Sequence, residues 1–190
     1  MMDTGRLKLV VVGDSYVGKT SLLFAYTQKS FSAHYNTTVF DNWAINITIQ
    51  HRKYIVNLFD TAGQEDYSHL RTLSYPSTDV FLLCFSLVDR KSLDACQMVW
   101  MPEIRKYAQD KIPVILVGTK SDMLEKADPS TTVSHEEARR TAQKLGCTKY
   151  IACSSLTHLG LKQVFDDALL AAVGLLETQT DEAKPCCTIL

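Results

Sequence analysis

An α/β fold, with a six-stranded, mostly parallel sheet, one antiparallel edge strand and five flanking helices, is predicted by three features of the 190-residue sequence. Short, nearly continuous apolar runs alternate with longer amphipathic stretches, the pattern of strand and helix units whose sheet is covered on both faces. Two of the apolar runs are joined by a short polar link, His51-Arg52-Lys53, as an antiparallel hairpin requires. The length suits one domain, and a 46% hydrophobic share supplies the side chains needed for its core.

The first strand is expected at Leu7–Val12, an apolar run that stops at Gly13, and the first helix at Lys19–Thr27. Ala44–Ile49 half-alternates through Ala44, Ile45, Ile47 and Ile49, and it pairs across the polar link with Tyr54–Phe59 at the sheet edge. A short helical turn follows near Asp66–Leu73, then the apolar strand Val80–Ser86 and a long helix over Lys91–Ala108. Val114–Val117 is the fifth strand. Ser134 with Glu137 matches a capping box and starts the helix His135–Leu145. Tyr150–Ala152 is the last strand, and the final helix, Leu161–Leu176, places Leu161, Val164, Phe165, Ala168, Leu169, Ala172 and Val173 on one face. Periodicity is lost after Leu176, so residues 1–177 are expected to form the domain and 178–190 a flexible tail.

Twenty Lys and Arg against 21 Asp and Glu give a formal net charge of −1, so no global positive field favours a nucleic-acid partner. The cysteines at 84, 96, 147, 153, 186 and 187 lack C-x-x-C spacing, which fits free thiols in a reducing compartment. Val80–Phe85 and Ala168–Leu176 are shorter than the roughly 20 residues that span a bilayer. Met1-Met2-Asp3 begins no secretory signal, so synthesis in the cytosol is expected.

Directly after the first strand, Gly13-Asp-Ser-Tyr-Val-Gly18-Lys19-Thr20 matches G-x-x-x-x-G-K-[ST] in strand-to-helix context. Backbone N–H groups of such a loop, here through Ser15, Tyr16, Val17, Gly18, Lys19, Thr20 and Ser21, wrap a phosphate. Lys19 reaches the β- and γ-phosphates, and the Thr20 hydroxyl suits Mg²⁺. Asp60-Thr-Ala-Gly63-Gln64 ends the third strand, where Asp60 can hold the metal's water shell and the Gly63 N–H can meet a γ-phosphate. Beyond the fifth strand, the Asp122 carboxylate of Thr119-Lys120-Ser121-Asp122 can accept from guanine N1–H and the 2-amino group, donors that adenine does not offer in that arrangement. Ser154 and Ser155, after the sixth strand, stand where a backbone N–H could meet the base's O6, although a plain turn explains them equally well.

Together these residues resemble the Ras superfamily of small GTPases, and within it the Rho/Rac family. The strings that carry the resemblance are Thr38-Val39-Phe40-Asp41-Asn42, Asp60-Thr-Ala-Gly-Gln-Glu-Asp-Tyr67, Leu73-Ser-Tyr-Pro76, Phe85-Ser-Leu-Val88 and Val117-Gly-Thr-Lys-Ser-Asp122, with Phe31 and Tyr35. The resemblance implies a Ras-like P-loop GTPase fold over residues 1–177 and a monomeric GTP/GDP switch with Mg²⁺ as cofactor. It implies that Phe31 stacks on guanine, Tyr35 closes over the phosphates, Thr38 binds Mg²⁺ and γ-phosphate, and Gln64 orients the attacking water, with Lys19 as the catalytic cation. Val39, Phe40, Asp41, Trp43, Tyr67 and Leu70 are the implied effector and switch surface, though ordinary packing is an equal reading for Phe40, Trp43, Tyr67 and Leu70 singly. Exchange factors, GTPase-activating proteins, a lipid-shielding dissociation inhibitor and effectors are the implied partners, and actin regulation the implied role.

Several departures bear on function. Ser15 and Tyr16 replace the Gly and small residue usual in Rac-like chains, and a side chain at 15 crowds the space used by Gln64 and a partner's arginine finger. A constitutively GTP-bound signalling scaffold is therefore the rival to a cycling hydrolase. Met123–Val133 is shorter than the Rho-type segment that carries an extra helix. Ala152 replaces an acid and Ser155 an alanine, changes that backbone recognition of the base tolerates. Cys187-Thr-Ile-Leu190 reads as a C-a-a-X box for geranylgeranylation, with Cys186 a palmitoylation candidate in place of the usual polybasic run. Attachment to the cytoplasmic face of the plasma membrane or endomembranes, with a cytosolic pool, is the expected localisation.

Other chemistries fit poorly. A P-loop nucleotide kinase would need an acceptor pocket and an Arg-rich lid, and both Thr119–Asp122 and the terminal box argue against it. His34, His51, His69, His135 and His158 lack zinc-ligand spacing, and Cys153 has no evident His partner.

Overall fold

A computed structural model describes residues 4–29, 40–108 and 111–176. The strands are β1 (Gly5–Gly13), β2 (Phe40–Ile49), β3 (Arg52–Thr61), β4 (Val80–Ser86), β5 (Val114–Thr119) and β6 (Lys149–Ala152). The helices are α1 (Lys19–Gln28), α2 (Ser68–Thr72), α3 (Arg90–Ala95), α4 (Met101–Tyr107), α5 (His135–Leu145) and α6 (Leu161–Ala172). One sheet in the order β2-β3-β1-β4-β5-β6 holds all six strands, and only the β2–β3 pair is antiparallel. This is the Ras-like architecture expected from the sequence.

Alternation along each central strand divides the core in two. Leu9 and Val11 of β1 with Leu82 and Cys84 of β4 face α1 and α6, packing on Leu22, Leu23, Val164, Phe165 and Ala168. Val10, Val12, Leu83 and Phe85 face the other way, against Leu93, Trp100, Ile104, Ala138 and Ala142. Both faces are covered, which is why β4 and β5 are buried at every residue. The chain winds to one side of β1 through β3 and to the other through β4, so the carboxyl end of β1 is the point where connections diverge and a ligand crevice opens.

Four expectations need correction. β2 begins at Phe40 rather than Ala44, in register with β3 from the Phe40–Thr61 pair to Ile49–Arg52. Asp41 and Asn42 hid its start, because an edge strand tolerates polar side chains facing water. The helix read over Lys91–Ala108 is a continuous helical run from Arg90 to Tyr107, but Cys96–Trp100 within it is a π-turn. The last helix stops at Ala172 instead of Leu176, because Gly174 takes φ 72° and the Leu175 N–H returns to Leu170 O at 2.8 Å. Only half of the capping box forms: the Glu137 N–H donates to Ser134 Oγ at 3.1 Å, while the Glu137 carboxylate pairs with Arg90.

That Arg90 pair also explains how the short segment after Asp122 is held. Residues Ser121–Lys126 form a 3-10 turn, and Arg90 then grips the return, its backbone N–H donating to Thr131 O at 2.8 Å and Nη2 to Thr132 O at 2.8 Å. Val133 is fully buried beneath it. Among the described residues no helix is long and apolar enough to cross a membrane.

Candidate functional site

The loop from Gly13 to Gly18 leaves β1 at the crevice and feeds directly into α1. Tyr16 turns it through a left-handed conformation, φ 64°, with its side chain in solvent. Lys19, on the first turn of α1, is only 6% exposed and folds back over the loop, Nζ donating to Gly13 O at 2.8 Å and Asp14 O at 2.7 Å. Burial holds its ammonium below the ordinary lysine value, and Asp60 opposes that shift. A buried cation on which loop carbonyls converge is a ready partner for an anion.

β3 delivers Asp60 to the same place. The Thr20 Oγ1 hydroxyl donates to Asp60 Oδ2 at 2.5 Å, so two hard oxygen ligands stand side by side at the start of α1. That donor set suits Mg²⁺, which prefers oxygen and few protein ligands. Ser15, Gly18, Lys19, Thr20, Ser21, Gly63 and Gln64 line one cleft, so the Gly63–Gln64 pair from the far end of β3 lies across the phosphate loop. Gly63 sits so close that a Cβ there would lie 2.3 Å from Ser15 N and 2.4 Å from Asp14 C. Only glycine permits that approach.

A second pocket of about 190 Å³ adjoins the cleft, sharing Gly18 and Ser21 and adding Thr119, Lys120, Asp122, Met123, Ser155 and Leu156. Its loops are tied to the first: Thr119 Oγ1 donates to Val17 O at 2.5 Å, and Lys120 Nζ donates to Tyr16 O at 2.7 Å. The Ser121 N–H donates to Cys153 O at 3.1 Å, joining the β5 and β6 loops. Ser154 stays behind this wall: its N–H donates to Leu159 O at 2.9 Å and its Oγ accepts from Thr157 N–H at 3.1 Å. It shapes the turn that presents Ser155.

Of the surface group, Asp41 is exposed, Leu70 is 48% exposed and Tyr67 is half-buried. Trp43 is partly buried. It shares the inward side of β2 with Ile45, Ile47 and Ile49 and packs on the core, which is what alternation dictates. Phe31, Tyr35, Thr38, Val39, Cys186, Cys187 and the tail 178–190 lie outside the described residues.

Five side chains near the cleft, Asp14, Arg71, Tyr75, Trp100 and Glu103, are given no role by the sequence. Asp14 accepts from the Trp100 indole N–H at 2.6 Å, and burial raises its pKa against the effects of that hydrogen bond and of Lys19. Arg71, Tyr75 and Glu103 form a second cluster beside it. Nothing in their spacing foretells this, since Asp14 and Trp100 are 86 residues apart. Among the described residues the four cysteines are held as thiols: burial pushes Cys147 and Cys153 up to about 12, and Cys84 and Cys96 well above their ordinary value.

Residues 8–173 match the family model described as the Ras family.

Proposed function

This chain belongs to the Ras family, whose members are small guanine-nucleotide switches, and on that premise we propose that it is a Rho/Rac-type GTPase signalling to effectors that act on the actin cytoskeleton. The observation that carries the reading is a pair of pockets that share Gly18 and Ser21, with a buried Lys19 in one and Asp122 in the other. The phosphates lie over the Ser15–Ser21 loop and on Lys19, and the base lies against Thr119, Lys120, Asp122 and Ser155. Thr20 and Asp60, the latter through water, would hold Mg²⁺ together with Thr38, and the ion would supply charge neutralisation for the phosphates. Gln64 orients the attacking water, while Lys19 and loop N–H groups stabilise the transferring phosphoryl group. Val39, Phe40, Asp41, Trp43, Tyr67 and Leu70 are the residues that effectors, exchange factors and GTPase-activating proteins would read, and of these Asp41 and Leu70 are exposed.

One observation favours the second reading, a GTP-held scaffold. Ser15 and Gln64 line the same cleft and the Ser15 backbone abuts Gly63, so a side chain at 15 stands near the space that an attacking water would need. Single-turnover hydrolysis of preloaded GTP separates the two. Equal rates for wild type and Ser15→Gly mark a cycling switch; a wild type that barely turns over, with Ser15→Gly raising the rate about 10- to 100-fold, marks the scaffold.

Membrane attachment through a geranylgeranyl group on Cys187, aided by palmitoylation of Cys186 and reversed by a lipid-shielding partner, completes the proposal. In a cell fractionation, Cys187→Ser is expected to move the chain wholly to the soluble fraction. Unchanged membrane partitioning refutes the anchor.

A further inference from the structure

We propose that Arg71 is a positioning residue that holds the Ala62–Gln64 loop against the phosphate loop and thereby sets the preference of the cleft for a triphosphate over a diphosphate. The inference rests on the reading of the cleft as a guanine-nucleotide site.

From Glu65 to Thr72 the one buried side chain is Arg71. Leu70 and, just beyond, Leu73 point into solvent, so this segment has no apolar anchor on the core. Arg71 replaces one. Its Nη1 donates to Ala62 O at 2.9 Å and to Gln64 O at 3.1 Å, bracketing Gly63. Its Nε and Nη2 donate to the two carboxylate oxygens of Glu103 at 2.9 and 2.8 Å, a bidentate pair whose side chains are 3% and 14% exposed. Tyr75 fixes that carboxylate from the other side, its hydroxyl donating to Glu103 Oε1 at 2.5 Å.

The guanidinium also lies 4.5 Å over the Trp100 ring, and the Trp100 indole N–H reaches Asp14 in the phosphate loop. One helical body, running from the π-turn at Cys96–Trp100 into α4, therefore grips both loops: Asp14 through Trp100, and Ala62–Gln64 through Glu103 and Arg71. The π-turn matters because a bulge changes which side chains face the crevice. Gly63 lies between these two bonds and against the phosphate loop, where a Cβ would stand 2.3 Å from Ser15 N, so the fork sets how near the Gly63 N–H can come to a γ-phosphate held on that loop. A diphosphate makes no use of that N–H. A fork of this shape is specific to arginine, so charge alone does not substitute.

The test measures the affinities of GDP and of a non-hydrolysable imido analogue of GTP for the Mg²⁺-supplied full chain, in wild type, Arg71→Ala, Arg71→Lys and Trp100→Phe. Arg71→Ala and Arg71→Lys are expected to lower the analogue-over-GDP affinity ratio by about 10-fold or more while GDP affinity stays within about twofold. Trp100→Phe, which keeps the ring and loses the N–H, is expected to move the ratio the same way by a smaller factor. If Arg71→Ala does not fold, Arg71→Lys and Trp100→Phe carry the measurement. An unchanged ratio, or equal losses for both nucleotides as a purely structural role would produce, overturns the inference. Failure of wild type to bind either nucleotide overturns the reading of the cleft, and this inference with it.

Discussion

Asp122→Ala is expected to remove discrimination between guanine and adenine nucleotides, a change of about 10⁴-fold in relative affinity. The size follows from what the site would lose. A carboxylate on a pocket wall pairs with two guanine donors, and an adenine placed there leaves it desolvated and unpaired, so most of the discrimination is a penalty on the wrong base. The substitution should spare the fold. Asp122 lies on a half-buried 3-10 turn that is held by backbone bonds such as Met123 N–H to Lys120 O at 3.0 Å. Competition of ADP against labelled GDP, with a thermal melt as control, checks both parts. A variant that melts like wild type and still prefers guanine would remove Asp122 from base recognition.

Gly63→Ala is expected to leave GDP binding within a few fold and to slow single-turnover GTP hydrolysis by about 100-fold, the loss that a misplacement of about 1 Å brings. The new Cβ would meet Ser15 N at 2.3 Å, Asp14 C at 2.4 Å and Gly13 O at 2.7 Å. All three are backbone atoms of the phosphate loop, itself tied to Trp100, Lys19 and Lys120, so no flexible side chain absorbs the clash. The Gly63–Gln64 segment must withdraw instead, taking Gln64 from the attacking water. Lys19, Thr20 and Asp60 keep their places, which is why the diphosphate remains bound. Hydrolysis at the wild-type rate would show that the approach of Gly63 to Ser15 is not part of the working arrangement. Comparing Gly63→Ala with Ser15→Gly separates crowding at the loop from the loss of Gln64.

Legibility in the sequence followed the range of the interactions. β4 and β5 were readable because a strand covered on both faces writes itself as a nearly unbroken apolar run, and β1 because Leu9–Val12 does the same beyond Lys8. The start of β2 was not, because Asp41 and Asn42 face water at the edge and only pairing with Asp60 and Phe59 makes them strand. The end of α6 is obscured by the apolar Val173, Leu175 and Leu176, although Gly174 is a local stop signal. The π-turn had no local signal at all, since its helical neighbours on both sides continue the same pattern. Trp43 is partly buried on the side of β2 that it shares with Ile45, Ile47 and Ile49, a placement set by the two-residue period of the strand.

What the sequence by itself determined is the chemistry carried by contiguous residues. Gly13 to Thr20, Asp60 to Gln64 and Thr119 to Asp122 each sit within one turn of a strand end, so the strand end itself places the candidate phosphate loop, the candidate metal ligands and the carboxylate proposed to read the base. Tertiary structure alone decided how these pieces are aimed at one another. Lys120 reaches Tyr16 across 104 positions, Arg71 reaches Glu103 across 32, and Trp100 reaches Asp14 across 86. The physical reason is that such contacts are made by side chains whose partners are brought near only when strands separated by whole βα units lie side by side, and no spacing along the chain records that proximity.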